Sequence, residues 1–215
     1  MNHVQTIIVM ILPLMLAIIL HEVSHGWVAE KLGDPTARLM GRITLNPISH
    51  VDLFGTIIVP GILLLTGSPF LFGWAKPVPV DFGNLRGGRR DMALVAIAGP
   101  VTNFLLAVVS SIIFHLTSGA GPAGFSGAVL FPIHEMARYS VLFNLVLMVF
   151  NLLPILPLDG GRIAVGLLPE SIALPLQRTE RWGMLIVLLF IATDLWTYTV
   201  APVIYVFLRI LGMRM

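Results

Sequence analysis

Two histidines and a glutamate stand close together in the segment HEVSH, at His21, Glu22 and His25. Side chains four residues apart lie on the same face of a helix, so both imidazoles can bind one metal ion. In an HExxH pattern the adjacent glutamate takes a proton from a water that zinc activates, which makes Glu22 the candidate general base. The spacing predicts a hydrolytic zinc site. The alternative is that the three groups pair with neighbours inside a helix bundle.

A catalytic zinc usually takes three protein ligands and keeps one position open, so a third ligand is required. The chain has no cysteine, and Val28 and Lys31 stand where the longer HExxHxxGxxH motif has its glycine and last histidine. The remaining candidates are His50, Asp52, Asp81, Asp91, His115, His134, Asp159 and Asp194. Asp159 is the best placed, because it ends an apolar segment and Gly160-Gly161 beside it permits close approach of the backbone. His50 is the second choice.

The elements that must position these residues are membrane helices. Of the 215 residues 57% are hydrophobic and 11% charged, whereas charged residues form about a quarter of an ordinary soluble domain. The formal net charge of +2 is too small and too scattered for a nucleic-acid surface. We expect an all-α polytopic membrane protein with a single domain over residues 1–215. The predicted spans cover about 4–31, 92–116, 139–156 and 182–212.

Three features interrupt this pattern. The last apolar region carries Asp194 and Pro202, so it is one kinked helix or two shorter ones. Residues 55–66 are too few to cross a bilayer and are predicted to form a re-entrant segment. The sequences ARLMGRITLNP and FGWAKPVPV mix β-branched, proline and turn residues, which predicts a small membrane-associated β element.

The distribution of basic residues predicts the orientation, because short cytoplasmic loops are enriched in Lys and Arg. Segment 31–90 carries Lys31, Arg38, Arg42, Lys76, Arg86, Arg89 and Arg90. The loop before the third span offers only Arg138. We therefore expect an integral membrane protein, in the cell membrane if it is bacterial, with its active site toward the cytoplasmic side.

The segments HEVSHG, AGPVTNF and NLLPILPLDGGR resemble, in order and spacing, the three signature segments of the site-2 protease family of intramembrane zinc metalloproteases. The resemblance covers roughly residues 10 to 165. It implies a core of three helices followed by C-terminal gate helices. The chain looks like a minimal member, without PDZ or CBS domains. The segment 55–72 is not part of the core pattern.

The resemblance implies one Zn²⁺ per chain, held by His21, His25 and Asp159, with Glu22 as the catalytic base. It also implies that Asn103 and Asn151 contact the substrate or its developing oxyanion. Expected partners are transmembrane protein substrates and the lipid bilayer, with no nucleic acid. The oligomeric state stays open. The alternative function is a non-catalytic zinc-binding membrane protein, as a carrier, a sensor or a pseudoprotease, which would have little use for Glu22.

Overall fold

A computed structural model of the chain describes residues 3–67, 73–119, 121, 124 and 126–213, and all regular secondary structure in these ranges is helical. The α-helices are α1 (His3–Leu32), α2 (Thr36–Leu39), α3 (Val59–Leu65), α4 (Arg89–Leu116), α5 (Phe131–Asn151), α6 (Asp159–Leu167), α7 (Glu170–Arg178), α8 (Glu180–Ala192) and α9 (Leu195–Ile210). Leu53–Ile58 and Ser126–Leu130 are π-helical, and Pro47–His50 and Phe82–Asn84 form 3-10 turns.

Helices α1, α4 and α5 form the central bundle, and each packs against the other two. Their apolar segments Gln5–Leu32, Arg89–Leu116 and Gly127–Asn151 have mean hydropathies of 2.4, 2.1 and 1.3. About 20 helical residues cross the hydrocarbon layer of a bilayer, so by length and composition all three are able to span a membrane. Many large apolar side chains on their outer faces are exposed, as lipid-facing residues are. The chain is an integral membrane protein.

The first two predicted spans lie inside α1 and α4, but the third differs. It was expected over 139–156, whereas α5 begins at Phe131 and ends at Asn151. Pro132 stands in the first turn of α5, a position that proline tolerates. Arg138 donates to Glu135 at 2.7 and 3.0 Å one turn away, so these charges, which made the segment look like a loop, pair along the helix.

The C-terminal apolar region is split into two helices. Helices α8 and α9 meet at an angle of 81°. Asp194, between them, has a φ of +55°, a left-handed conformation that cannot continue a right-handed helix. The predicted alternatives of a kinked or a split helix are thus resolved as a split at Asp194, while Pro202 lies inside α9.

The predicted β element is wrong, because no strand forms in residues 37–47 and 73–80, the described part of the two predicted segments; Phe72 lies outside the described residues. In place of a ladder, these segments make isolated main-chain hydrogen bonds, such as the bond from Lys76 N to His50 O at 2.9 Å. Pro77 and Pro79 have no N–H, so one edge of this extended segment lacks the donors that a ladder needs.

Residues Leu53–Leu65 form one short apolar helix, π-helical at first and then α3. The Asp52 carboxylate caps its start by accepting from the N–H groups of Phe54 and Gly55 at 3.1 and 2.7 Å. The helix is shorter than a membrane span. Its re-entrant course stays a prediction.

Arg89 on α4 binds the C-terminal end of α6, the helix that follows the bundle. Its guanidinium donates to the carbonyls of Val165, at 2.7 and 3.1 Å, and Leu168, at the C-terminal end of α6. These carbonyls lack helical partners, so a cation there satisfies them and complements the helix dipole. Gly166 lies against Ala93 of α4, where a Cβ would come within 2.6 Å. Helix α6 is therefore held tightly against α4.

Candidate active site

His21 and His25 lie one turn apart on α1 and face the interior of the bundle. The exposed fractions of His21 and His25 are only 6% and 9%. Their Nε2 atoms are 3.1 Å apart and the rings meet edge to face. The helical spacing alone brings the two rings together, as the sequence predicts.

Asp159 completes a cluster with both histidines. Its Oδ2 lies 3.2 Å from His21 Nε2 and its Oδ1 lies 3.4 Å from His25 Nε2. One ligand atom from each of the three residues lies within 4.8 Å of the other two. Asp159 does not end an apolar helix as expected; it begins α6, after α5 has ended and the chain has turned. No other cluster of this kind forms among the described residues.

Glycines permit this approach. A Cβ on Gly99 of α4 would come within 2.5 Å of both His21 Cε1 and His25 Nε2. A Cβ on Gly160 would overlap the carbonyl of Leu152, and one on Gly161 would lie 2.5 Å from the main-chain nitrogen of Leu156. The glycines of the AGP and LDGG segments therefore allow α4 and α6 to reach the histidines on α1.

The donor set fits a bound cation. His25 Nδ1 lies 2.8 Å from the carbonyl oxygen of Val95, which can only accept, so Nδ1 carries the proton and Nε2 presents a lone pair. Asp159 Oδ2 is buried and, apart from His21 Nε2 at 3.2 Å, has no polar partner. Lone pairs and a carboxylate that converge in a buried space repel one another unless a proton or a metal cation lies between them. Two imidazoles and a carboxylate, with a fourth position open, match the ligands of catalytic zinc.

Glu22 lies beside the cluster, half-buried on the same helix. Its Oε2 accepts a hydrogen bond from the main-chain N–H of Val78 at 2.8 Å. Pro77 and Pro79 lack an N–H, so Val78 carries the only main-chain donor of these three residues. Val78 is buried against Gly26, since a Cβ added to Gly26 would come within 2.8 Å of Val78 Cγ1. The sequence offers no signal for this contact except the alternating prolines.

A buried carboxylate anchors the segment that carries Val78. Asp34 is fully buried at the end of α1 and accepts from the N–H of Asp81 at 2.7 Å, the Asn84 amide at 3.1 Å and Thr36 N at 3.1 Å. Burial opposes ionisation of Asp34, but these hydrogen bonds outweigh it and hold the pKa of Asp34 below its ordinary value. Asp34 thereby ties residues 81–84 to α1.

The other candidate ligands have partners elsewhere. His50, the second choice, donates from Nε2 to the carbonyl of Thr44 at 2.9 Å. Asp52, Asp81 and Asp91 accept main-chain N–H groups near them in sequence. His115 and His134 bond to Leu211 O and Thr117 Oγ1, and Asp194 is exposed. Asp159 is therefore the candidate that the fold brings to the histidine pair.

The two asparagines implied by the resemblance occupy different positions. Asn103 is fully buried, with Oδ1 at 2.5 Å from His21 Nδ1, and its amide donates to Ala17 O and Asn144 Oδ1. Asn151 is half-buried at the end of α5 and donates to Leu147 O at 3.0 Å. Substrate contact by either asparagine stays a prediction. Asn144 was missed by the sequence analysis, although an amide within an apolar span is itself a signal.

Known proteins are similar to this chain over most of its length. The model of peptidase family M50 matches residues 9–142 and 125–193. YwhC of Bacillus subtilis (strain 168), by its name a candidate zinc metalloprotease, is 37% identical over 198 residues, which cover 91% of this chain and 85% of YwhC. Rip2 of Mycolicibacterium smegmatis, named likewise, is 27% identical over 90% of this chain and 70% of its own length. No solved structure matches the chain.

A third relative, zinc metalloprotease MJ0392 of Methanocaldococcus jannaschii, is 26% identical over 166 residues, but these cover only 35% of its length. The match to the family model extends over most of the described chain and includes the HEVSH and AGP segments and Asp159. The chain belongs to peptidase family M50, the site-2 protease family of zinc metalloproteases, as the sequence predicted.

Proposed function

We propose that the protein is an intramembrane zinc metalloendopeptidase that hydrolyses peptide bonds within or near transmembrane segments of membrane proteins. The observation that carries this proposal is the convergence of His21, His25 and Asp159, whose ligand atoms lie within 4.8 Å of one another beside Glu22. We assign these three residues as the ligands of one zinc ion per chain. A catalytic carboxylate next to such a set has a role in hydrolysis that simple zinc binding does not require.

Zinc bound there would supply Lewis-acid chemistry, polarising a carbonyl oxygen and lowering the pKa of water. The protein residues do the rest. Glu22 takes a proton from the attacking water and delivers it to the leaving amine, which is general acid–base catalysis. Its Oε2 is held by Val78 N–H, so Oε1 is the oxygen that we assign to proton transfer. The main-chain bond of Val78 keeps the carboxylate oriented while the proton moves.

The site lies within the bundle, in the C-terminal half of α1. A substrate helix has to unwind before its carbonyls become accessible, because helical carbonyls already accept hydrogen bonds. Glycines and prolines in a substrate span would favour this local unwinding. Because basic residues are concentrated in segment 31–90, which follows α1, we place the active site toward the cytoplasmic side.

The test uses the full chain purified in detergent with a panel of single-span membrane proteins as substrates. We expect cleavage that stops when a chelator removes the metal and returns when zinc is added. Glu22→Gln should retain zinc but lower turnover by about 10²- to 10⁴-fold, the usual contribution of a general base. The matched control is Glu30→Gln on the same helix, whose carboxylate pairs with Arg38 and lies away from the zinc ligands.

The outcomes separate the rival functions. If the protein binds zinc but cleaves none of the panel, and Glu22→Gln changes nothing measurable, the proposal fails and a zinc carrier or sensor takes its place. If both glutamate variants lose activity equally, the effect belongs to the charge of α1 and not to a catalytic base.

A further inference from the structure

A relay of side-chain amides connects His21 to the far side of the bundle. His21 Nδ1 lies 2.5 Å from Asn103 Oδ1 on α4. Asn103 Nδ2 donates to Asn144 Oδ1 on α5 at 2.8 Å, and Asn144 Nδ2 donates to the carbonyl of Ser140 at 2.8 Å. Asn103 and Asn144 are 0% and 1% exposed, so water does not compete with these bonds. The relay therefore joins the three helices of the bundle through one candidate zinc ligand.

The direction of this relay is fixed at its end. The Ser140 carbonyl oxygen can only accept, so the nitrogen of the Asn144 amide must face it and the Asn144 oxygen must face Asn103. Asn103 then has to present its nitrogen to Asn144, and the same nitrogen also donates to the carbonyl of Ala17 at 3.2 Å. Two carbonyls on two different helices thus exclude the flipped amide of Asn103. Its oxygen is left facing His21.

An oxygen at this position selects one tautomer of the imidazole. His21 Nδ1 must carry the proton that Asn103 Oδ1 accepts, so Nε2 presents its lone pair toward Asp159 and His25. Asn103 donates to the carbonyl of Ala17, which also accepts the main-chain N–H of His21 in the regular pattern of α1. This bond holds Asn103 against the helical turn that carries His21. A metal-binding histidine commonly has its second ring nitrogen fixed in this way.

We propose that Asn103 and Asn144 are positioning residues that hold His21 in its metal-binding tautomer and orientation, Asn144 acting through Asn103. This proposal rests on the zinc site of the proposed function. It differs from the role that the family resemblance implies for Asn103, because both N–H groups of its amide are taken by Ala17 and Asn144. Neither is left to donate to a substrate carbonyl or an oxyanion.

Zinc affinity of the detergent-purified full chain, measured by competition with a chromogenic chelator, tests the assignment. Asn103→Leu removes the acceptor for His21, and we expect zinc to bind about 10- to 100-fold more weakly. Asn103→Asp keeps an acceptor and should bind zinc clearly more tightly than the leucine variant. Asn144→Leu should weaken zinc binding less than Asn103→Leu. The double leucine variant should match Asn103→Leu alone, because Asn144 acts only through Asn103.

The control for general loosening of the bundle is Val141→Ala. Val141 is fully buried on α5 and belongs to the apolar core, so its truncation lowers stability and should leave zinc affinity unchanged. If Asn103→Leu does not fold, Asn144→Leu decides the question, since its side chain touches none of the zinc ligands. Zinc affinity equal to that of the unsubstituted chain would then overturn the proposal.

Two further results would contradict it. If Asn103→Leu and Asn103→Asp lose turnover equally while both bind zinc as the unsubstituted chain does, Asn103 serves the substrate through its N–H groups. If Val141→Ala weakens zinc binding as much as Asn144→Leu does, the relay has only a packing role. Zinc binding by the unsubstituted chain tests the metal site itself, so failure of the positioning role and failure of the proposed function are distinguished.

Discussion

The main-chain N–H of Val78 donates to the Glu22 carboxylate at 2.8 Å, so the segment between α3 and α4 contacts the candidate catalytic base on α1. Three anchors hold this segment. Arg42 donates to the carbonyls of Lys76 and Pro77. Lys76 N donates to the carbonyl of His50 in the first 3-10 turn, and the Asp34 carboxylate accepts from Asp81 N. The orientation of Glu22 therefore depends on a segment that lies outside the three signature motifs.

Gly26→Ala tests this dependence. A Cβ at residue 26 would come within 2.8 Å of Val78 Cγ1 and 2.9 Å of Ala37 Cβ, so these neighbours have to shift, and we expect the bond from Val78 N–H to Glu22 to lengthen. We expect proteolytic turnover to fall at least tenfold while zinc stays bound. The upper limit is the loss of about 10²- to 10⁴-fold that removal of a general base causes. Turnover and zinc content are measured on the same preparation. Gly61→Ala is the control, since nothing lies within 4 Å of its Cβ, and equal turnover of the two variants would contradict the prediction.

Gly99→Ala should act on the metal instead. The added methyl group would lie 2.5 Å from His21 Cε1 and His25 Nε2, so at least one ring has to leave its position. Changing a residue that only hydrogen-bonds to a metal ligand already weakens metal binding by about 10- to 100-fold, so we expect a loss at least as large when a ligand itself is displaced. Metal analysis after dialysis against a weak chelator measures it. Full retention of zinc by Gly99→Ala would show that α4 is free to withdraw from α1.

Stability at low pH should depend on Asp34. The pKa of its buried carboxyl is lowered in the folded state, so its contribution to the free energy of unfolding is complete above the unfolded pKa of about 3.9 and is lost as the pH falls through the lower folded pKa. Asp34→Asn should be less stable at neutral pH, because an amide nitrogen would face the Asp81 or Thr36 N–H. The difference from the unsubstituted chain should shrink below about pH 4.

Denaturation in detergent across pH 3–7 measures this difference. Asp194→Asn serves as the control, because Asp194 is exposed and asparagine also tolerates its left-handed conformation. A stability difference for Asp34→Asn that stays constant over this range would exclude the ionised carboxylate as its source.

Arg89→Lys should loosen α6. The guanidinium of Arg89 donates from two nitrogens to the carbonyls of Val165 and Leu168, and a lysine ammonium cannot reproduce this planar geometry. We expect the free energy of unfolding to fall by about 1–2 kcal/mol, in the range for one lost hydrogen bond to a charged group at a partly exposed site. Arg90→Lys, at the exposed neighbouring position, should change it by less than about 0.5 kcal/mol. Equal effects of the two substitutions would contradict the capping role.

The sequence determined those features that depend on local geometry. The four-residue spacing of His21 and His25 is sufficient to bring the rings together, because one turn of helix fixes their separation. Apolar length likewise located α1 and α4. The prediction of a β element was wrong because alternating prolines and valines favour an extended segment whether or not a partner strand is present. Pro77 and Pro79 lack the N–H groups that would bond to such a strand. Charged residues that pair along α5 concealed the start of that helix.

Only the tertiary structure decided which of the distant carboxylates reaches the histidines and how their orientation is fixed. Asp159 was favoured over His50 from sequence, but its distances to both imidazoles result from the close packing that Gly99 and Gly160 allow. The contacts of Asn103 and Val78 were not predicted, since they involve an amide orientation and a main-chain N–H. Spacing along the chain fixes neighbours within a helical turn, whereas contacts between helices depend on how their surfaces fit together.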